Sequence, residues 1–395
     1  MVEKLIIEID DDKIKYAVFN ADENFDYTIV NKKTSLNAGV KKGKIYDFNY
    51  ASKIINEDLQ TIEQEVKKVF KNISVILNQK DIFCTNLTGF KNLNGSKVEK
   101  RDLDYILNEA KSSIKKSHEN NSILHILNSN FILDKTKQKK MPLNIFGDHL
   151  SMHMTFISIP NNNLKNIKEI FNQNDLQVDR IISKPFVDGI YLLNKKKDLK
   201  NFIIINIDNE LSTVSLYEDS SLVFFKTFPF GTDAIYKDLS QLCSLKRDEI
   251  ELIVNDLNFD NLEKNKDKYI DKKFFTESDF KKLSIEHIRN IIDARIKEIM
   301  DYTFNRNKNL NYLDKKISNI YLCFENKTVS KNLENLFKKS VNIQNETILV
   351  ESLKKEDFGS LLGAAELIFK GWHKEAIPFS NKKKSIISGF FERFF

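Results

Sequence analysis

The stretch LIIEIDDDKIKYAVF, from Leu5 to Phe19, decides the fold class of this chain. Two short apolar runs rich in β-branched residues flank the polar segment Asp10 to Lys13, and this pattern predicts two strands joined by a tight turn. A similar arrangement returns in the second half as FIIINIDNELSTVSLY, from Phe202 to Tyr217, followed by a predicted strand at Ser221 to Phe228. The repeated hairpin indicates an internally duplicated α/β chain.

The residues between the two hairpins contain a second group of predicted elements. Strands are predicted at Ile82 to Gly89, Ser122 to Leu133 and His149 to Ile159, with a helix at Lys100 to Lys115. We therefore interpret residues 81–160 as a small α+β subdomain inserted into the first half.

Two further segments place apolar residues at the three-and-four spacing of an amphipathic helix, Ile55 to Leu77 and Ile285 to Phe304. With 395 residues and 41% hydrophobic content, the chain exceeds the size at which one core stays undivided, so two or more domains are expected. Its 62 basic and 56 acidic residues leave a formal charge of +6. This modest excess on a mixed surface does not indicate nucleic-acid binding.

Several functional classes find no support in the sequence. Cys84, Cys243 and Cys323 lie far apart, which excludes a paired-cysteine metal or redox motif and fits a reducing cytoplasm. No serine or cysteine stands with a histidine in a recognisable nucleophile pattern, so no catalytic residue is predicted. His149 and His153 lie in an alternating, strand-like segment, so no metal site is predicted. The first residues lack the features of a signal peptide, and no run of about eighteen apolar residues predicts a membrane-spanning helix.

The C-terminal segment Ser385 to Phe395, SIISGFFERFF, is predicted to form an amphipathic helix after a polar linker. At about 100° per residue its apolar side chains fill one half of the helical wheel, and three lysines precede it. We expect its apolar face to enter the interface of an anionic membrane, with the lysines at the headgroups. The alternative is a terminal helix packed on the protein's own core. The predicted membrane-binding residues are Lys382, Lys383, Lys384, Ile386, Ile387, Phe390, Phe391, Phe394 and Phe395.

A series of segments carries a family resemblance through its order and spacing. These segments are IIEIDDDKIKYAVF from Ile6, GVKKGKIYDF from Gly39, SILHILNSNFILD from Ser122, MPLNIFGDHL from Met141, VDRIISKP from Val178, IIDARIKEI from Ile291 and FGSLLGAAEL from Phe358. Together they span nearly the whole chain and resemble FtsA, the actin-like family of bacterial cell-division proteins.

The resemblance implies an α/β fold of the actin-like type, a duplicated, ribonuclease H-like, two-lobed architecture. Residues 1–80 and 161–198 would form the first lobe, and 81–160 the inserted α+β subdomain typical of FtsA. The second lobe would comprise 199–371, with about 230–310 as its outer subdomain. A flexible linker, 372–384, would precede the membrane-targeting amphipathic helix, 385–395.

The resemblance also implies ATP and Mg²⁺, held at the two hairpin turns and at an adenosine loop. Backbone amides approach phosphates closely only where glycine is present. Where the family pattern is Asp-Ile-Gly-Thr-Ser-Lys, this chain has Glu8 to Lys13, and the second turn and the adenosine loop, Leu322 to Lys327, also lack glycine. We therefore expect weak or lost nucleotide binding, with Glu8, Asp10 and Asp208 as an alternative set of Mg²⁺ ligands. The implied nucleotide-turn residues are Asp10, Asp11, Asp12, Lys13, Asp208, Asn209, Glu210 and Leu211.

The function implied by the resemblance is anchoring of the FtsZ ring to the cytoplasmic side of the bacterial inner membrane at the septum. The expected partners are the FtsZ tail, further copies of the chain in a polymer, anionic lipids, and later division proteins through the inserted subdomain. The FtsZ tail would bind a basic helix edge, although an ordinary solvated helix face is the alternative. That edge comprises Arg289, Arg295, Lys297 and Arg306.

Two other functions stay open at this point. An actin-like ATPase or sugar-kinase-type enzyme would be indicated by intact glycine-rich phosphate loops. A pilus or secretion assembly scaffold could share the same fold, and the terminal amphipathic helix favours cell division over it.

Overall fold

The computed structural model describes residues 2–36, 38–138, 140–257, 259, 268–311, 317–325, 327–343, 348–353, 358–372 and 375–378. The described residues divide into two compact units. The first lies within Met1–Lys200, Ser215–Phe225 and Asp357–Phe395, and the second within Asn201–Val214 and Lys226–Glu356.

The strands are numbered here in chain order. They are β1 (Val2–Ile9), β2 (Lys13–Ala21), β3 (Tyr27–Leu36), β4 (Val40–Lys41), β5 (Lys44–Ile45), β6 (Asn72–Leu77), β7 (Phe83–Asn92), β8 (Asn121–Leu133), β9 (Thr136–Gln138), β10 (His149–Pro160), β11 (Gln177–Ser183), β12 (Phe202–Ile207), β13 (Ser212–Glu218), β14 (Ser221–Phe228), β15 (Asn319–Phe324), β16 (Leu349–Leu353) and β17 (Glu375–Pro378).

The α-helices follow the same convention. They are α1 (Phe48–Val66), α2 (Lys100–Ser117), α3 (Asn161–Asn172), α4 (Lys184–Lys195), α5 (Asp233–Cys243), α6 (Arg247–Asp256), α7 (Ile285–Met300), α8 (Lys308–Asn311), α9 (Lys327–Asn332), α10 (Glu334–Lys339) and α11 (Gly359–Phe369).

The first hairpin forms the centre of a five-stranded sheet with the order β11-β6-β1-β2-β3. β1 runs antiparallel to β2, from the pair Val2 and Ala21 to the pair Ile9 and Ile14 at the turn. β6 and β11 add to the other side in parallel. The continuous apolar run of β1 fits a strand that is covered on both faces, which is where parallel strands occur.

A second five-stranded sheet has the order β14-β13-β12-β15-β16. The order matches that of the first sheet when it is taken in reverse. In each sheet the first three strands in sequence lie side by side, and the two later strands add next to the first of them. β15 pairs in parallel with β12, and β16 pairs in parallel with β15. The predicted internal duplication therefore corresponds to two sheets with the same strand order.

The helix predicted at Ile55 to Leu77 was wrong in its second part. α1 begins after Asp47, whose carboxylate accepts a hydrogen bond from the backbone N–H of Tyr50 at 3.0 Å. It ends at Lys67, which adopts a left-handed conformation with φ 55°. Residues 72–77 then form the buried strand β6. Its β-branched residues fit a strand, and periodicity alone could not separate such a short apolar run from a helix.

A third sheet, β17-β8-β10-β7, contains the strands of the predicted insertion. β10 pairs antiparallel with both β7 and β8, and β9 pairs with β8. α2 contributes Leu103 and Ile106 to a core that also contains Met152, Met154 and Phe156 of β10. The alternating side chains of β10 therefore pack as the sequence predicted, with His149 and His153 in a strand.

Candidate functional site

The first hairpin turn is tight and its acidic side chains point inward. The backbone N–H of Asp10 donates to the carbonyl of Lys13 at 3.0 Å and so closes the turn. The carbonyl of Asp11 accepts from the backbone N–H of Gly43 at 3.0 Å. The side chains of Glu8 and Asp10 are fully buried, so their charges must be neutralised within the protein.

Lys184 supplies one of the neutralising charges. It stands at the start of α4, directly after β11, and is buried. Its ammonium forms an ion pair with Glu8, lies 3.2 Å from Asp10 Oδ2, and donates to Ser360 Oγ at 2.9 Å. Sequence reasoning missed Lys184 as a functional residue, although it lies within the quoted segment VDRIISKP.

Lys15 and Asn78 complete the surroundings of the two carboxylates. The Lys15 ammonium lies 3.4 Å from Asp10 Oδ2 and 3.8 Å from Glu8 Oε2. The Asn78 amide donates to Asp10 Oδ1 at 3.0 Å. The buried carboxylates of Glu8 and Asp10 thus face two buried ammonium groups.

The second hairpin turn has a similar backbone closure. The N–H of Asp208 donates to the carbonyl of Leu211 at 2.8 Å. The carbonyls of Asp208 and Asn209 accept from the backbone N–H groups of Thr232 and Asp233, both at 2.9 Å. A Cβ added at Gly231 would lie 2.3 Å from the Asp208 carbonyl oxygen, so glycine is required for this close approach. The turn is thus held against the start of α5.

The predicted turn residues occupy different environments. Asp12 and Lys13 are half-buried, as are Asn209 and Glu210, whereas Asp11 and Leu211 are buried. In the predicted adenosine loop, the backbone N–H of Glu325 donates to the Ile207 carbonyl at 3.3 Å, and Asn326 lies outside the described residues.

Glu8 and Asp10, two members of the alternative Mg²⁺ set, are both paired with lysine side chains. Mg²⁺ takes oxygen ligands at about 2.0–2.1 Å in octahedral geometry and keeps several of its waters. Here oxygens of both carboxylates face the ammonium groups of Lys15 and Lys184. Two of the three residues in the alternative Mg²⁺ set, Glu8 and Asp10, therefore already form ion pairs within the first unit.

The four predicted partner-binding residues lie on or just after α7 in the second unit. Arg289 is buried, and its guanidinium lies 3.2 Å from Asp293. Arg295 donates to Asp238 at 2.5 and 2.8 Å and also pairs with Glu298. Lys297 is exposed. The four residues therefore differ in how freely they could meet a partner.

Arg306 follows a turn that contributes a ring to an aromatic patch, which the sequence analysis did not single out. It is exposed, and its guanidinium lies 3.0 Å from Asp301 in the π-helical turn Asp301–Asn305 that continues α7. Tyr302 of that turn is 59% exposed, and its ring centroid lies 6.0 Å from that of Phe230. The Phe230 ring in turn lies 5.5 Å from Phe228. The aromatic run around Pro229 was the signal that could have identified this patch.

A buried triad of charged and polar residues joins β17 to two sheets of the first unit. Glu375 of β17 pairs with Arg180 of β11, and its carboxylate lies 2.9 Å from His125 Nδ1 of β8. The backbone N–H of Ser183 donates to His125 Nε2 at 3.3 Å. Because Nε2 accepts, Nδ1 carries the proton and donates to Glu375, so the imidazole is neutral. Burial lowers the pKa of His125, and the Glu375 carboxylate only partly offsets this effect.

The predicted membrane-binding residues, from Lys382 to Phe395, lie outside the described residues. Among the helices that the structure does describe, none is long and apolar enough to cross a bilayer.

Comparisons with known proteins identify the inserted sheet. The family model described as the SHS2 domain inserted in FtsA matches residues 80–158. This range contains β7, α2, β8, β9 and most of β10. The α2–β10 core described above therefore lies within the region that matches this inserted domain.

Several proteins with similar sequences are named cell division protein FtsA. That of Buchnera aphidicola subsp. Acyrthosiphon pisum is 24% identical over 56% of this chain and 52% of its own length. That of Buchnera aphidicola subsp. Schizaphis graminum is 23% identical over 71% of this chain and 66% of its own. The FtsA of Borreliella burgdorferi is 22% identical over 64% of this chain and 62% of its own length. The matched regions thus span between about half and two thirds of these relatives.

Solved structures with low sequence identity show the fold. A PilM–PilN type IV pilus biogenesis complex matches with a TM-score of 0.59 and 10% identity, over 92% of this chain and 98% of the other. The ethanolamine utilization protein EutJ from Carboxydothermus hydrogenoformans matches with a TM-score of 0.50 and 10% identity. The match covers 92% of this chain and 89% of EutJ. The predicted actin-like fold class and the resemblance to FtsA are confirmed. The chain is thus similar to the FtsA family of cell-division proteins.

Proposed function

We propose that this chain is a membrane-anchored adaptor of bacterial cell division, which ties FtsZ filaments to the cytoplasmic face of the inner membrane at the septum. The observation that carries the proposal is the FtsA-type SHS2 domain at residues 80–158, inserted into an actin-like core. Copies of the chain assemble into a polymer, and the inserted domain recruits later division proteins. The FtsA relatives support the same assignment.

The proposed membrane anchor is the C-terminal segment Ser385 to Phe395. Full burial of its six apolar side chains would yield about 1.5–3 kcal/mol each, whereas ordering the segment costs about 1–2 kcal/mol per residue. The lysines Lys382, Lys383 and Lys384 add about 1 kcal/mol each on an anionic surface. One copy therefore binds a membrane marginally, and a polymer that presents many copies binds much more tightly.

Liposome co-sedimentation tests the anchor directly. The full chain is compared with a version that ends at Asn381, on vesicles with and without anionic lipid. We expect sedimentation of the full chain on anionic vesicles and its loss in the shortened version. A full-length Phe391→Glu/Phe394→Glu variant should behave like the shortened version, and Glu392→Gln on the polar face is the matched control. Equal sedimentation of the full and shortened chains would refute the anchor.

The proposed FtsZ-tail site lies on the basic edge of α7 and beyond it. Arg306 and Lys297 are exposed, and Tyr302, in the turn that precedes Arg306, adds an accessible aromatic ring. Arg289 and Arg295 are held by neighbouring carboxylates, so we expect them to shape the surface more than to contact the tail. An acidic and apolar tail would pair its charges with this edge and its apolar side chains with the aromatic patch.

Peptide binding measured by fluorescence anisotropy tests this surface. We expect charge reversal at Arg295 and Arg306 together to weaken binding of a labelled FtsZ C-terminal peptide, with Arg306→Glu alone giving most of the loss. Lys53→Glu, on the exposed side of α1 in the first unit, is the control for total charge. Unchanged affinity in the double variant would remove these residues from the site.

The proposed adaptor does not depend on ATP, although proteins with the actin-like fold generally bind ATP and Mg²⁺. Support comes from the hairpin turns, where carboxylates stand in place of glycine, and from the ion-paired first turn. Isothermal calorimetry should detect no micromolar ATP binding, and such binding would instead favour the ATPase alternative. The pilus-scaffold alternative is disfavoured because the inserted domain matches that of FtsA.

A further inference from the structure

We infer that β7 is a docking edge of the inserted domain, where an extended segment of a partner protein adds to the sheet as a further strand. The segment carries acidic residues at one end and apolar side chains next to them. The inference deepens the recruitment of later division proteins in the proposed function and rests on that step, whereas membrane anchoring is measured separately.

β7 is an outer strand of the inserted sheet. Among the described residues it pairs only with β10, through a ladder without a register shift. The backbone N–H of Leu93 donates to the Asp148 carbonyl at 2.7 Å, directly after the last pair of this ladder. Successive residues of an antiparallel strand direct their backbone groups alternately towards the neighbouring strand and away from it. Asn86, Thr88 and Phe90 therefore direct their backbone N–H and C=O groups outward.

The centre of the β7 edge lacks the features that keep exposed edges unpaired. Such edges are normally blunted by lysines, by bulges or by short length. β3, an outer strand of the same length, has Lys32 and Lys33 near its centre and a bulge in its pairing with β2. β7 is regular, and its one lysine, Lys91, is its next-to-last residue. The edge before Lys91 is therefore open to strand addition.

Side chains on both faces of β7 are placed to contact an added strand. On one face the Phe90 side chain is 72% exposed. α2 covers the other face, where a Cβ added at Gly89 would lie 2.5 Å from Ile106 Cγ2. Beside this contact, the Lys91 ammonium lies 5.2 Å from the centroid of the Tyr105 ring, which belongs to a half-exposed residue. Successive side chains of an added strand alternate between the faces, so apolar ones would pack against Phe90 and Tyr105.

The charges around the end of β7 favour an acidic segment. β7 contains no carboxylate. Lys97 and Lys100 follow it and are exposed, and in the described part of the chain neither forms an ion pair with a carboxylate. Lys97 pairs with Phe146 in an isolated bridge beyond the ladder, and its ammonium lies 5.1 Å from the centroid of that ring. Carboxylates at one end of the partner segment would meet these ammonium groups.

Peptide binding by the full chain tests the docking edge. Two labelled synthetic peptides alternate valine and threonine around a central phenylalanine, and they carry an aspartate pair at the N-terminal or at the C-terminal end. Together they cover both directions of an added strand. We expect fluorescence anisotropy to give a dissociation constant below about 1 mM for one of them. A copy of that peptide with N-methyl groups at alternate residues cannot donate to β7 and should not bind.

Thr88→Pro and Thr88→Ala form a matched pair of variants. Proline removes an outward N–H donor and none from the ladder with β10, so peptide affinity should fall at least about five-fold. Alanine keeps the donor and should bind like the wild type. Hydrogen exchange resolved by residue should show that the peptide protects the N–H groups of Asn86, Thr88 and Phe90, with little change at Leu87 and Gly89.

Charge reversal provides a second test, which does not depend on the folding of Thr88→Pro. Lys97→Glu/Lys100→Glu should weaken peptide binding about three-fold at low salt. Lys115→Glu/Lys116→Glu makes the same change in net charge in the last turn of α2 and should leave binding unchanged.

Four results would overturn the inference. They are no binding of either peptide, equal affinity in Thr88→Pro and Thr88→Ala, equal affinity in the two charge-reversal variants, and tighter peptide binding by the version that ends at Asn381. The last result would mean that the C-terminal segment of the chain itself, rather than a partner, competes for β7. Peptide binding by a wild type that does not sediment with liposomes would support the docking edge while removing the membrane anchor.

Discussion

At the residue scale, Glu249 shows how one buried carboxylate organises the second unit. It lies in the first turn of α6, and its two oxygens accept from the backbone N–H groups of Lys246, Glu277 and Ser278 and from the Ser278 hydroxyl, at 2.6–2.9 Å. Burial alone raises the pKa of a carboxyl, but these donors together lower the pKa of Glu249 from 4.5 to about 2. The ionised form is therefore part of the folded structure.

Replacing Glu249 with glutamine should destabilise the second unit. In glutamine, an amide nitrogen replaces one carboxylate oxygen, so some of the N–H and O–H donors that now bind Glu249 would lose their acceptor. Hydrogen bonds to a charged group contribute about 1.5–3 kcal/mol. Because the folded-state pKa is depressed, the Glu249 contribution is complete above about pH 4.5 and is lost as the pH falls towards 2. Denaturant unfolding at pH 7 should show the loss. Glu251→Gln, on the same helix in an exposed ion pair, should have little effect.

His125 should make stability sensitive to mildly acidic pH. Its pKa is lowered in the folded state, whereas in the unfolded chain it titrates near about 6.5. Below that value the unfolded state binds the proton first, so stability falls as the pH decreases, with a slope of up to about 1.4 kcal/mol per pH unit. Unfolding measured from pH 7.5 to 5 should show a smaller slope in His125→Asn. An identical slope in both proteins would mean that His125 is not the group that titrates.

The residues that carry these effects could not be found from sequence alone. Lys184 and Glu249 look like ordinary solvated charges in their segments, and only the fold reveals that both are buried. Desolvation and pairing depend on residues far along the chain, such as Glu8 and Ser278. By contrast, the sequence alone shows that both hairpin turns are acidic and lack glycine.

At the element scale, α4 and α11 pack through a glycine contact. A Cβ added at Gly363 of α11 would lie 2.1 Å from the carbonyl oxygen of Val187 on α4. Real Cβ atoms do not approach a backbone oxygen so closely, so the helices would have to separate. This contact lies in FGSLLGAAEL, one of the segments that carry the resemblance to FtsA.

Gly363→Ala should therefore destabilise the first unit by about 1–3 kcal/mol through overpacking, even though alanine favours helices. Thermal unfolding of the full chain measures the effect. Ser113→Ala, on the exposed side of α2, serves as the control because its side chain faces solvent. A midpoint for Gly363→Ala at or above that of the wild type would show that the helices can move apart without cost.

Most elements followed directly from hydrophobic periodicity. The hairpins, α2, β8, β10 and α7 were predicted because their apolar residues recur at the period of a strand or a helix. β6 was misassigned because a short, fully buried parallel strand has no alternation to reveal it. β17 lies within the segment predicted as a linker, since pairing with β8 is a long-range interaction without a local signal.

At the scale of the whole molecule, β17 connects the proposed anchor to the inserted domain. Glu375 and Pro378 of this strand pair with Leu127 and His125 of β8, so the chain leads towards residues 379–395 from the edge of the inserted sheet. Burial favours the neutral form of Glu375, but Arg180 and His125 lower the pKa of its carboxyl and keep it ionised. We expect this buried ion pair to determine whether β17 stays docked.

Arg180→Met should release β17 without abolishing membrane binding. Removal of Arg180 leaves the Glu375 charge buried with only the neutral His125 as a described side-chain donor. Breaking a buried ion pair in this way typically costs about 3–5 kcal/mol, more than a four-residue strand gains from its ladder. Hydrogen exchange should therefore accelerate in the β8 amides around Leu127, while liposome sedimentation stays near the wild-type level because the proposed anchor begins beyond Pro378. Lys137→Met breaks an exposed pair with Asp219 and should change neither measurement. If Arg180→Met keeps β8 protected but loses liposome binding, the ion pair acts on the anchor itself rather than on the docking of β17.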